Sequence, residues 1–149
     1  RILIANRGEI VLRAIRAIKE MGKEAIVVYS TADKDALYVK LADLAICIGS
    51  PKSSESYLNI PAIISASEIA NADAIFPGYG FLSENQNFVE ICAHHDIVFI
   101  GPKSETMQLM SDKSKAKDVM KQAGVPVIPG SEGALKDIED AKNRAKEIG

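Results

Sequence analysis

Five short, unbroken apolar runs, each followed by a stretch of helical character or a polar turn, limit this chain more than any other feature. They lie within Ile2–Ala5, residues 24–30 ("EAIVVYS"), Leu44–Ile48, residues 74–77 ("AIFP") and residues 97–101 ("IVFIG"). A strand that is apolar on every residue, rather than on alternate ones, is covered on both faces. The intervening segments supply the cover. Residues 9–21 carry Val11, Ile15 and Ile18 at helical spacing, with Arg13, Arg16, Lys19 and Glu20 on other faces and Gly22 as a stop. Residues 35–42 read as a short helix, 60–72 as a longer one with Pro61 in its first turn, and 84–95 as another. Strand, helix, strand, helix with short connections predicts an α/β fold: a Rossmann-like parallel sheet with helices on both faces.

The character changes after Gly101-Pro102. Residues 103–110 and 112–123 read as two polar helices, with Ser111 or Asp112 as cap of the second and Gly124 as its end. A turn-rich passage at 125–133 precedes a final amphipathic helix at 138–148. The expected division is a first domain over 1–110 and the beginning of a second over 111–149, left incomplete. Arg1 stands directly before a strand and Gly149 directly after a helix, so both ends read as cut.

Composition excludes some classes of partner. A net charge of −2, 5% aromatic residues and no Trp give no basis for a nucleic-acid or anionic-membrane surface. No apolar run reaches the roughly 18–20 residues of a membrane span. Cys47 and Cys92 lie in apolar segments and read as buried, reduced thiols of a cytoplasmic protein. With no Cys-x-x-Cys and no clustered His, no zinc site is expected.

Several motifs carry possible chemistry. Asn6-Arg7-Gly8 occupies the strand-to-helix turn where a dinucleotide binder places G-x-G-x-x-G, but only Gly8 is present. Asp33 stands roughly where the ribose acid is sought, beyond the strand. A structural turn is the simpler reading. In "FPGYGFLSEN" (76–85) two glycines flank Tyr79 between a strand and a helix; they either allow close approach of a ligand or form a turn, with Ser83 as helix cap and Glu84 in the first turn. Lys113 is either solvated or a phosphate contact near a helix start. Arg13, Arg16 and Glu20 share a helix face, as solvated residues with an Arg16–Glu20 pair or as a subunit contact. Adjacent His94 and His95 point about 100° apart and cannot chelate one metal.

In order and spacing, "IANRGEI", "YLNIPAIISA", "PGYGFLSEN", "FIGP" and "SDKSKAK…AGVPVIPG" resemble the amino-terminal part of the biotin carboxylase family over essentially the whole chain. Those enzymes are the ATP-using components of acetyl-CoA, pyruvate and propionyl-CoA carboxylases. The resemblance implies a pre-ATP-grasp domain followed by the helical start of an ATP-grasp domain. It implies a parent enzyme that uses Mg-ATP (or Mn) and bicarbonate to carboxylate biotin on a carrier protein, with a carboxyltransferase as a further partner. It makes Lys113 a ligand of ATP phosphate, places Tyr79 and Gly80 on the biotin side of the active site, and makes the helix bearing Arg13, Arg16 and Glu20 part of a homodimer interface. It gives no ligand role to Asn6-Arg7-Gly8. Catalytic residues and metal ligands are expected outside these residues, so the chain alone is expected to be inactive. A Rossmann-like ligand-binding or dimerisation module, or another ATP-grasp ligase, are the alternatives.

Overall fold

The computed structural model describes residues 1–128 and 135–148, and the main chain alone for Lys113, Ser114 and Ile148. The chain divides into two compact units, Arg1–Ser104 and Glu105–Gly149.

The first unit is a five-stranded parallel sheet. Its strands are β1 (Ile2–Ile4), β2 (Ala25–Ser30), β3 (Leu44–Gly49), β4 (Ala74–Phe76) and β5 (Val98–Phe99), in the order β3-β2-β1-β4-β5. β1 is central: Ile2 pairs with Ala25 on one side and with Ala74 on the other. Four helices connect the strands: α1 (Glu9–Glu20), α2 (Leu37–Leu41), α3 (Ile60–Ile69) and α4 (Gln86–His94). Alternate residues of each strand feed opposite layers. Ile4, Ala25 and Val27 pack with Val11, Ile15 and Ile18 of α1 and Tyr38 of α2. Leu3, Ile26, Val28 and Ile75 pack with Ile63 of α3 and with Phe88 and Cys92 of α4. Burial pushes the Cys92 thiol up to about 11, so it behaves as an inert apolar group.

Short polar side chains set the helix ends. Gly8 precedes α1 at φ 75°, ψ −146°, a conformation that a Cβ opposes, and no side chain caps the helix there. Asn59 caps α3 by accepting from Ala62 N (3.2 Å). Asn85 caps α4 by accepting from Phe88 N (2.9 Å). The cap expected at Ser83 is therefore two residues late: Ser83 N instead donates to Gly80 O (2.9 Å) and closes a turn. That turn uses residues 80–83 as loop, and α4 starts at Gln86 rather than at Glu84.

Cys47 also departs from expectation. It is exposed, because β3 is an edge strand and is only partly covered. Two single 3₁₀ turns, Thr31–Asp33 and Ser53–Glu55, sit in segments that carried no helical period.

Within the second unit, α5 (Ser104–Ser111, its first residue belonging to the first unit), α6 (Lys113–Gln122) and α7 (Ile138–Ile148) are helical. Asp112 caps α6 by accepting from Lys115 N (3.1 Å), whereas Ser111 Oγ turns back to Gln108 O (2.8 Å). Asp137 caps α7 by accepting from Asp140 N (2.8 Å). Residues 129–134, part of the expected turn-rich passage, lie outside the described residues.

Phe88 is fully buried and meets Phe99 edge to face at 5.9 Å. Phe88→Ala is expected to cost about 3–5 kcal/mol in denaturant unfolding. Val98→Ala, at a residue 63% exposed, is expected to cost no more than about 0.5 kcal/mol.

Candidate functional site at the carboxyl ends of the strands

Because β1, β2 and β4 are parallel neighbours, the turns that follow them emerge at one edge of the sheet. From β1 the chain crosses to β2, while β4 lies on the other side. Open α/β sheets bind ligands in the crevice at such a switch of strand order. Here the turns around that crevice are closed onto one another by the chain's own side chains.

Asn6, 3% exposed, is the first residue of that closure. Its Nδ2 donates to Pro77 O (2.7 Å) and Tyr79 O (2.8 Å), and its Oδ1 accepts from Arg7 N (2.8 Å). Only a carboxamide offers two donors and an acceptor in this geometry. The turn after β1 is thereby tied to the turn after β4 across more than seventy residues of chain. Gly78 packs against this clamp at φ 67°, where a Cβ would lie 2.9 Å from Asn6 Nδ2 and 3.3 Å from Ile10 Cγ1.

Arg7 makes the second tie. Its Nε and Nη2 donate to the two carboxylate oxygens of Asp33, at 3.0 and 2.5 Å. Asp33 Oδ2 also accepts from Ser30 Oγ (2.9 Å) and Tyr57 OH (2.7 Å). Ser30 N donates to Tyr57 OH (2.9 Å), and Tyr38 OH lies 3.1 Å from it. The Arg7 guanidinium sits 5.8 Å from the Tyr57 ring centre. Burial raises the Asp33 carboxyl, but donation from Arg7, Tyr57 and Ser30 outweighs it and leaves it below the ordinary range. The Arg7 guanidinium is raised by its hydrogen bonds to Asp33. Burial raises both the Tyr38 and Tyr57 phenols, which therefore stay neutral. Asp33, sought as a ribose acid, has its carboxylate committed within the protein.

Tyr79 and Gly80 stand in the turn that Asn6 holds. Tyr79 is 60% exposed; its hydroxyl donates to Glu9 Oε1 of α1, which raises its pKa. Gly80, at φ 68°, has open space on its Cβ side. Lys113 is the first residue of α6, and its side chain lies outside the described residues.

Arg13, Arg16 and Glu20 are all exposed on α1. The ion pair that α1 makes runs from Lys19 Nζ to Asp43 Oδ1 (3.0 Å) rather than from Arg16 to Glu20. His95 follows α4 and places Nδ1 2.7 Å from Glu68 Oε1 of α3. Among the described residues, no three His, Cys, Asp or Glu side chains are grouped to hold a metal ion. No helix among them is long and apolar enough to cross a membrane.

A five-stranded parallel sheet whose carboxyl-end turns are tied together by side chains defines a Rossmann-like scaffold. Residues 1–107 match the family described as biotin carboxylase, N-terminal domain, and the chain belongs to that family. The whole chain is 59% identical to a biotin carboxylase of Nostoc sp. and 50% identical to biotin carboxylase 1 of Bacillus subtilis. It covers 33% of each, so it spans about a third of the length of those relatives. A solved biotin carboxylase–β,γ-ATP complex from Campylobacter jejuni is 78% identical, with a TM-score of 0.91 over 99% of this chain and 33% of that one. The biotin carboxylase domain dimer of Hydrogenobacter thermophilus 2-oxoglutarate carboxylase, solved with MgADP, ADP and bicarbonate, is 49% identical. Its TM-score is 0.88 over 99% of this chain and 32% of that one.

The Asp33 network makes an acid-side prediction. A carboxyl lowered on folding contributes stability that is complete above its ordinary pKa of 3.8 and is lost as pH falls through the folded value. Between about pH 5 and 2, the wild type is expected to lose more unfolding free energy than Asp33→Asn, measured by denaturant titration at each pH. Parallel loss in the two proteins contradicts the assignment.

Proposed function

We propose that this chain forms the amino-terminal part of an ATP-dependent biotin carboxylase, a ligase that forms a carbon–nitrogen bond. In this reading, residues 1–110 are the pre-ATP-grasp domain and residues 111–149 begin the ATP-grasp domain. The observation that carries it is the family match over residues 1–107, joined to high identity across the rest of the chain.

The parent reaction uses Mg-ATP and bicarbonate to carboxylate a ureido nitrogen of biotin on a carrier protein, and a carboxyltransferase then passes the carboxyl group on. Phosphorylation converts bicarbonate from an unreactive anion into an electrophile. Positive charge must stabilise the phosphoryl group in transit. Lys113 contributes such a charge to the ATP phosphates. Tyr79 and Gly80 face biotin. Two features favour this: the Tyr79 ring is largely exposed, and the main chain at Gly80 has no side chain over it. A flat, largely apolar bicycle can approach such a surface closely. Arg13, Arg16 and Glu20 belong to a homodimer face; their exposure on one helix is consistent with that use. The metal ligands belong to other parts of the parent enzyme, and the protein works in the cytoplasm.

The test is ADP release by the intact gene product with Mg-ATP, bicarbonate and free biotin, omitting each in turn. Release that needs bicarbonate and rises with biotin is expected. Release independent of both contradicts the reading. Lys113→Gln is expected to raise KM for ATP or lower kcat by on the order of tenfold or more, while KM for biotin stays within about twofold.

A further inference from the structure

We infer that Asn6 is a positioning residue for the Tyr79-Gly80 turn: its buried carboxamide fixes the main chain that presents Tyr79 and Gly80 to biotin. The inference rests on the reading of that turn as the biotin side of the site. It goes beyond that reading by assigning a role to a residue that touches neither substrate nor cofactor.

The far end of the turn is anchored by packing: Phe81 stacks on Tyr57 with ring centres 5.1 Å apart, Leu82 is buried in the core, and Gly80 O accepts from Ser83 N (2.9 Å), whereas the 77–79 main chain is held by Asn6. Between Pro77 and Leu82 the chain contains Gly78, Gly80 and Phe81, all at positive φ (67°, 68° and 43°). A segment with two glycines and a left-handed phenylalanine has many accessible conformations when free. Its outward residue, Tyr79, is exposed. Two of its carbonyls, those of Pro77 and Tyr79, are taken by one amide group at 2.7 and 2.8 Å. That amide is itself fixed by Arg7 N and by the central strand that ends beside it. Gly78 leaves only enough room for this amide. The Tyr79 hydroxyl bond to Glu9 is exposed and adds orientation to the ring but little constraint to the main chain.

Each change at position 6 has a distinct consequence. Asn6→Ala removes the donors and frees both carbonyls. Asn6→Asp keeps the shape but directs a buried carboxylate at two carbonyl oxygens, a repulsive arrangement. Gly78→Ala attacks the same contact from the other side, because its methyl would meet Asn6 Nδ2 at 2.9 Å at a positive φ.

The experiment is steady-state kinetics of the intact gene product and its Asn6→Ala and Gly78→Ala variants, with biotin and ATP varied separately. Thermal unfolding identifies the folded fraction. A displaced turn is expected to raise KM for biotin by on the order of ten- to a hundredfold in both variants, with KM for ATP within about twofold. A purely structural role would lower kcat in proportion to folded protein and leave both KM values unchanged; that result overturns the proposal. So does an equal rise in both KM values. If Asn6→Ala fails to fold, Gly78→Ala carries the same two outcomes. Absence of biotin-stimulated turnover in the wild type would overturn the underlying reading instead, and so is distinguishable from failure of the Asn6 role alone.

Discussion

The carboxamide of Asn6 is the constraint on which the arrangement of this sheet edge depends. It sits at the end of the central strand, where the chain departs toward β2 on one side and lies against β4 on the other. By donating to two carbonyls of the 77–79 segment, it converts two separate turns into one surface. Its neighbour Arg7 extends the same surface to the end of β2 through Asp33, and from there to Tyr57 and Tyr38. Two adjacent residues therefore bind three strand ends together. Every buried side-chain polar atom among the described residues has a partner, which is the condition for such a network to stabilise rather than strain a fold.

These ties set the sheet apart from a dinucleotide-binding one. A Rossmann-type sheet ordinarily leaves a crevice beside its central strand, and glycines there let the main chain approach a pyrophosphate. Here only Gly8 of that glycine pattern is present, and the side chains of Asn6 and Arg7 tie the neighbouring turns together. The acid that would meet a ribose is neutralised by Arg7. On the outer side of the 77–81 turn, Tyr79 is exposed and Gly80 is uncovered.

Much of the fold was legible in the residues themselves. Unbroken apolar strands and the Val11, Ile15, Ile18 spacing of α1 point directly to a two-sided parallel sheet, and α7 occupies the predicted 138–148. Local chemistry misled where two residues competed for one role. Ser83 and Asn85 can each cap a helix, and the choice was made by a turn closed on Gly80 O. Cys47 looked buried because its neighbours are apolar, yet its strand lies at the sheet edge, and strand order is not written in periodicity. The candidate site was legible only in part. The glycines around Tyr79 announced a tight turn. Nothing local to Asn6 or Tyr57 announced partners some twenty-five to seventy residues away, since a buried polar side chain and a loop polar side chain look alike until the chain is folded. His95 and Glu68 pair across two helices for the same reason, unseen in sequence.

In the function proposed, ATP is held away from the crevice beside β1, whose turns Asn6 and Arg7 tie together. Photolabelling of the intact gene product with an ATP analogue carrying an azide on its adenine tests this directly, with labelled peptides mapped and unlabelled ATP as competitor. ATP-sensitive label confined to peptides beyond residue 110 is the predicted result. ATP-sensitive label on peptides carrying Asn6-Arg7-Gly8 or Asp33 would contradict it and return the crevice to its ordinary role.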